Sequence, residues 1–340
     1  MRQMCVLRHG PPEVLTLQGS PDPTVTPGTV GIAVRAIGVN FADVLARQGL
    51  YPECPKPPVV LGYEVAGVVY QVGTGVTTVV PEQPVLAVTR FGGYADRVVV
   101  PAHQVVPLPA QMPFTVAAAL PVNYLTAYLL LYHWGQLRAG EHVLIHGAAG
   151  GVGLAAVQLA SLRQAEIYGT AAASKHAFLH DQGVHHTIDY YHHDVTSVIR
   201  GLTGGRGVDI VLDPLGGHSF AQSYHLLAPL GRLLMFGVSR MSVGPRRRLP
   251  RVLWHLLRMP WFHPLRLMQD NKAVIGLHLG RLWEHTGVLH EALQTIVQLY
   301  IAGQISPVIA QTFPLAAAPA AHRYLQEHRN VGKVLLTVDN

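Results

Sequence analysis

The run Ala148-Ala149-Gly150-Gly151-Val152-Gly153 has the composition and spacing of a turn that carries a diphosphate. The apolar stretch VLIHG from Val143 precedes it and the amphipathic LAAVQLASL follows it, so the glycines fall between a strand and a helix. Glycines let the backbone approach a pyrophosphate, which then sits at a helix N-terminus where free N–H groups and the helix dipole favour anions. The bland alternative is a tight strand-to-helix turn with no ligand. Ala148 stands where the usual pattern has its first glycine.

About 20 residues beyond such glycines, an NAD-selective site carries an Asp or Glu for the ribose 2′-hydroxyl. Here the second strand ends in Thr170-Ala171-Ala172-Ala173-Ser174-Lys175, with no acid. A hydroxyl and a cation suit a 2′-phosphate, which favours NADPH. The competing reading makes Ser174 a cap of the next helix and Lys175 a solvated side chain.

These residues need a scaffold, and the pattern around them supplies one. Candidate strands recur at VLIHG (143), EIYGT (166), HHTID (185), VDIVLD (208) and RLLMFG (232), with helical periodicity between them. That spacing predicts a doubly wound parallel sheet of the Rossmann type, an α/β fold. Before it, short β-rich runs (TVGIAVRAIGV, EVAGVVYQVG, DRVVVPAHQVV) separated by Pro and Gly predict a β-rich, barrel-like beginning. We expect a discontinuous first domain at 1–123 and 304–340 around a nucleotide domain at 124–303. Within the latter, the strand at AVIGLHL is delayed to Ala273 by an Arg-rich insert near 240–272, and His290 to Gly303 reads as a helix.

Composition narrows the class. At 49% hydrophobic and 13% charged residues, the chain is a well-buried globular protein. The most apolar stretch, Pro113 to Trp134, is broken by Pro121, Asn123 and Thr126, so no membrane span is expected. Arg8, His9 and Pro11-Pro12 interrupt the place of a signal-peptide core, which points to the cytoplasm. Two cysteines, Cys5 and Cys54, exclude a four-cysteine zinc site, and the twenty histidines show no metal-ligand spacing. The net charge of +6 is local: no acid lies between Asp213 and Asp270, where Arg232, Arg240, Arg246, Arg247, Arg248, Arg251, Arg258 and Arg266 fall. No nucleic-acid partner is expected.

GVNFADVLARQGLYP at Gly38, LGYEVAGVV at Leu61, LPVNYLTAY at Leu120, HGAAGGVGLAAVQLA at His146 and NVGKVLL at Asn330 together resemble the zinc-free quinone oxidoreductase branch, which includes zeta-crystallin, of the medium-chain dehydrogenase/reductase superfamily. Within it, GTAAASKH, VLDPLGG, GLHLGRL and the insert are most similar to homologues of the synaptic vesicle amine transport protein. The resemblance implies a GroES-like substrate domain and a homodimer. It places Asn40, Asp43 and Tyr51 on the substrate side and Tyr124 and Thr126 beside the nicotinamide. Gly150, Gly151 and Val152 would hold the pyrophosphate, and Ser174, Lys175 and Tyr190 would face the 2′-phosphate and adenosine end. Phe236, His278, Leu279, Asn330 and Lys333 would complete the NADPH site. Zinc-dependent relatives carry a Cys near Asn40 and a His at Tyr63, so no metal is expected.

The resemblance implies hydride transfer from NADPH to a quinone or an α,β-unsaturated carbonyl, with enoyl-thioester reduction as a variant. The rival from another class is a membrane-associated binding protein that retains an NADPH site. The insert favours the rival, because it combines arginines with Leu253, Trp254, Leu256, Leu257, Trp261 and Phe262. Against that, a lid or a dimer interface would leave the insert's apolar face covered in the folded chain, which is the expectation carried forward.

Overall fold

The computed structural model describes every residue except Val243, Pro245, Arg246, Trp283, Glu284, Asp339 and Asn340. It divides into two compact units: Met1–Leu125 with Gly244–Arg247 and Leu279–Asn340, and Thr126–Val243 with Arg248–His278. Arg246, one arginine of the insert, lies outside the described residues.

The second unit is built on six strands, β1 (His142–His146), β2 (Glu166–Ala171), β3 (His186–Asp189), β4 (Val208–Asp213), β5 (Leu227–Met235) and β6 (Ala273–Gly276). All pair in parallel, in the order β3-β2-β1-β4-β5-β6. Central strands of such a sheet are covered on both faces and therefore read as unbroken apolar runs. Val143, Leu144 and Ile145 of β1 and Ile210, Val211 and Leu212 of β4 are fully buried. The order reverses between β1 and β4, and ligands of open parallel sheets bind outside the strand ends at such a reversal.

The insert between β5 and β6 forms the helices Leu249–Leu257 and Pro264–Asp270. Phe262 and Leu267 pack on the core of this unit and His255 is buried. Within the single chain the insert does not cover its apolar face as a lid would. The insert has more apolar side chains than one contact with the core can bury, and Leu249, Leu253, Trp254 and Leu256 stay about half exposed. Leu257 is 77% exposed, Met268 71% and Trp261 97%. Arg258 lies 4.1 Å from the centre of the Trp254 ring, so cation and apolar surface share one face.

In the first unit, Thr29–Val39, Glu64–Val72, Pro84–Val88, Arg97–Pro101, Val105–Pro107, Ile309–Pro314 and Lys333–Thr337 form one seven-stranded sheet. Arg2–Val6, Leu15–Gly19 and Val59–Val60 form a second. Val30, Ile32, Ile37, Leu61, Val65, Val69 and Val85 fill the core between them. The last strand runs antiparallel to Thr29–Val39, with Leu335 opposite Gly38, which joins the C-terminal segment to the sheet formed by the early strands. The helix Thr286–Ile301, expected with the nucleotide domain, groups with this unit, and His290 Nδ1 lies 3.3 Å from the His103 carbonyl. The apolar stretch from Pro113 becomes two short helices and a π-helical turn. No helix among the described residues is long and apolar enough to cross a membrane.

Candidate functional site

The glycine turn closes β1 onto the helix Gly151–Leu162. The turn itself is made by Gly147, at φ +65°, one residue before the position where the sequence pattern lacks its first glycine. Ala148 is then free to be buried. A Cβ on Gly153 would stand 2.4 Å from the Gly147 carbonyl oxygen, so only glycine allows helix and turn to pack this closely. Gly150 is the N-cap and brings no side chain to the first N–H groups of the helix. Gly150, Gly151 and Val152 are half-buried. Uncapped donors at the start of a twelve-residue helix, over a turn whose two alanines are buried, fit a pyrophosphate.

A buried relay fixes the strand ends below this turn. Thr170 Oγ1 accepts the Gly147 N–H at 3.1 Å and lies 3.3 Å from His146 Nδ1, to which it donates because Ser223 spends its own hydrogen on Asp213. The imidazole proton then lies on Nε2, facing Ser223 Oγ at 3.2 Å, and Ser223 donates to Asp213 Oδ2 at 2.7 Å. Burial holds the His146 pKa below its ordinary value, so the relay is neutral at the imidazole. Sequence reading missed this relay; the signal was polar residues at the C-terminal ends of three otherwise apolar strands.

β2 ends at Ala171 and runs into a 3-10 turn, Ala173–Lys175. Ser174 is exposed and Lys175 half-buried, and burial lowers the Lys175 pKa. The N-cap of the next helix is Lys175, not Ser174, which removes the capping role considered for the serine. Tyr190 follows β3, its ring 4.5 Å from that of Tyr191. The positive charge of Arg240 acts on both Tyr190 and His146. Phe236 and His278, at the ends of β5 and β6, are half-buried in the same unit, and Thr126 is buried there.

The other expected residues lie in the first unit. Asn40 opens the helix Phe41–Arg47. Its Nδ2 donates to Glu64 Oε1 at 2.8 Å, and its Oδ1 accepts from Lys333 Nζ at 2.7 Å. Lys333 also pairs directly with Glu64 Oε1, while Glu64 Oε2 accepts the Val122 N–H at 2.7 Å. Lys333 is 3% exposed and Glu64 0%. Gly38 makes room for this carboxylate, since a Cβ there would meet Glu64 Oε1 at 2.1 Å. Asn330 is buried and donates to the Gly332 carbonyl at 2.9 Å. Tyr124 is buried, and Tyr51 and Leu279 are half-buried. The structure thus gathers Asn40 and Lys333 into one buried cluster with Glu64, a residue that sequence reading left out.

Asp43 is fully buried. Its Oδ2 accepts the Asn40 N–H at 2.8 Å and its Oδ1 the Gly62 N–H at 3.0 Å, which ties the helix start to the turn before Tyr63. Burial pushes its pKa up to about 7, against the lowering effect of those N–H groups and of Lys333. The sign follows from linkage. Between about 4 and 7 the folded chain binds this proton and the unfolded chain does not, so the stability it contributes is full at acid pH and lost as pH rises through about 7. Asp43→Asn is therefore expected to flatten the fall in stability between pH 4 and pH 8, measured by urea denaturation. An unchanged pH slope counts against a carboxyl raised this far.

Among the described residues, no group of three His, Cys, Asp or Glu is placed to hold a metal ion. A parallel nucleotide-type sheet with a glycine turn, in one chain with a separate mainly antiparallel unit, defines the two-domain dehydrogenase/reductase class. Residues 26–110 match the alcohol dehydrogenase GroES-like domain and residues 182–336 the zinc-binding dehydrogenase family. The rat synaptic vesicle membrane protein VAT-1 homolog is 41% identical over 342 residues, covering 99% of this chain and 84% of its own length. A 2-haloacrylate reductase of Burkholderia is 31% identical, covering 94% of this chain and 92% of its own. Escherichia coli quinone oxidoreductase, solved with NADPH, superposes with a TM-score of 0.88 at 30% identity, over 99% of this chain and 100% of its own. The chain belongs to the medium-chain dehydrogenase/reductase superfamily, in the branch of the quinone oxidoreductases and VAT-1 homologues.

Proposed function

We propose that this chain is an NADPH-dependent reductase that delivers hydride, without a metal, to the conjugated carbonyl of a quinone, enone or enal. The observation that carries the reading is the uncapped helix start over the Gly147–Gly153 turn, followed at the end of β2 by Ser174 and Lys175 instead of an acid. When bound, NADPH supplies the hydride. Gly150, Gly151 and Val152 hold its pyrophosphate, and Ser174, Lys175 and Tyr190 receive the 2′-phosphate and adenosine. The family resemblance assigns Tyr124, Thr126, Phe236, His278, Leu279 and Asn330 to the same cofactor. Lys333 serves the site indirectly, by holding Asn40 and Glu64 in place.

The acceptor's developing oxyanion needs a hydrogen-bond donor. Burial and the charges of Glu53 and Asp43 hold the Tyr51 hydroxyl protonated well beyond neutral pH, so a hydroxyl on this side of the site is a donor and not a phenolate. Asn40 is fixed at both ends of its amide by Lys333 and Glu64 and orients the neighbouring chain. The positions where zinc-dependent relatives place Cys and His ligands hold Asn40 and Tyr63, which supply neither thiolate nor imidazole. Reduction of a 2-haloacrylate by the Burkholderia relative and the quinone chemistry of the E. coli one support hydride addition to a conjugated acceptor. A screen of NADPH oxidation against quinones, enals, enones and enoyl thioesters tests the reading. Turnover with the first three supports it, turnover with thioesters alone moves the activity to enoyl reduction, and none with any class rejects it. A cytoplasmic homodimer is part of the proposal.

The exposed insert supports a second property, binding at an anionic membrane surface. Trp261, Leu257 and Met268 stand in solvent, with Arg251, Arg258 and Arg266 in the same two-helix segment. Arginines near an anionic surface contribute about 1 kcal/mol each, and this attraction is screened within about 8 Å at physiological salt. Apolar insertion is not screened. Flotation with phosphatidylserine-containing vesicles should therefore recover the protein at physiological salt, and Trp261→Ala with Leu257→Ala should lower the recovered fraction. Equal recovery with neutral and anionic vesicles at low salt removes the arginines from the account.

A further inference from the structure

Tyr63 lies between two pinned residues. The Gly62 N–H is held by Asp43 and its carbonyl accepts from Thr89 Oγ1 at 2.7 Å, while on the other side Glu64 is held by Lys333, Asn40 and Val122. The Tyr63 carbonyl itself accepts the Thr89 N–H at 2.8 Å. The backbone at Tyr63 is thus fixed, and so is the direction in which the ring leaves it. The ring packs against Tyr51, with centroids 5.9 Å apart, and Phe91, 5.4 Å apart, both tilted and both half-buried.

Tyr63 is 5% exposed, and its buried hydroxyl has no hydrogen-bond partner among the described residues. A buried hydroxyl left unpaired costs folding free energy, and phenylalanine in the same shape avoids that cost. A phenol held rigid, walled by two aromatic rings and without a partner suits a ligand that brings its own acceptor atom. Burial first, then the negative charges of Asp43 and Glu53, hold its pKa well above the ordinary value, so the group is a donor and not a phenolate.

We infer that the Tyr63 hydroxyl donates a hydrogen bond to the carbonyl oxygen of the acceptor, and that Tyr51 and Phe91 select a flat conjugated ring or chain beside it. The inference rests on the reductase reading and names the contact that would make it specific for carbonyl acceptors. Aromatic walls favour offset or edge-on contact with a planar π-system, which a quinone or cyclic enone offers and a saturated alcohol does not.

Tyr63→Phe keeps the ring and removes only the hydroxyl. Calorimetric titration of menadione into protein free of cofactor reads binding without turnover. The variant should bind menadione about 3- to 10-fold more weakly, the range of one neutral hydrogen bond. kcat/KM for menadione reduction should fall by a similar factor, and NADPH affinity should not change. The thermal midpoint should stay or rise, because an unpaired buried hydroxyl has gone. Equal menadione affinity in variant and wild type overturns the inference, as does a wild type that binds no menadione at millimolar concentration. If binding weakens as stated but neither protein oxidises NADPH, the carbonyl contact stands and the reductase reading falls.

Discussion

Lys175→Ala is expected to weaken NADPH binding by about 10- to 100-fold and to leave NADH binding almost unchanged. Lys175 closes the turn after β2 and is half-buried, and its burial lowers the pKa because the charged form lacks full hydration. A 2′-phosphate beside the ammonium replaces that hydration with a charge-assisted hydrogen bond, worth roughly 1.5–3 kcal/mol. At about 1.4 kcal/mol per tenfold, this gives the stated range. NADH has no phosphate at that position and loses nothing. Lys175→Glu should go further, since a carboxylate repels the phosphate yet accepts a hydrogen bond from a ribose hydroxyl. Titration of both cofactors by quenching of tryptophan fluorescence yields the dissociation constants. Equal weakening of the two cofactors, or a wild-type preference for NADH, separates Lys175 from the 2′-phosphate and removes the main support for NADPH selectivity.

The central strands of the nucleotide sheet were legible because a strand buried on both faces leaves an uninterrupted apolar run, as VLIHG and VDIVLD do, and the edge strands followed from the regular spacing. The glycine turn was legible in type but not in register: Gly147, counted with the strand, supplies the positive φ, and only the backbone reveals that. Helix Thr286–Ile301 was visible from its period, with Leu289, Leu293, Ile296 and Val297 on its buried face. Periodicity says that a face is apolar without saying what covers it, so the helix was placed with the wrong neighbours in sequence. The same limit applies to the insert, whose amphipathic pattern fitted a membrane contact and a covering lid alike and did not decide that Trp261 stands in solvent. The Asn40, Glu64 and Lys333 cluster was out of reach for another reason. Its members are 24 and 293 residues apart from Asn40, and only the antiparallel pairing of Lys333–Thr337 with Thr29–Val39 brings them together.

That pairing makes Lys333→Met the substitution with the largest expected cost to stability, about 3–5 kcal/mol. Removal of the ammonium leaves the Glu64 carboxylate fully buried with the Asn40 amide and the Val122 N–H as its remaining donors. Two neutral donors offset part of the lost hydration of a carboxylate, not all of it, so the folded state carries an uncompensated charge. Replacing both members tests whether the cost belongs to the charge or to packing. In Glu64→Gln with Lys333→Met neither member of the pair carries a charge, and a good part of the lost stability should return, because an ion pair replaced as a unit by groups of similar shape is often nearly neutral. Packing loss alone predicts the opposite, a double variant no better than the single one. Urea denaturation gives the energies, and amide hydrogen exchange in the strand Glu64–Val72 assigns the loss to the first unit. A single variant within 1 kcal/mol of wild type, on the scale of an exposed ion pair, would mean that water reaches Glu64 when Lys333 is gone.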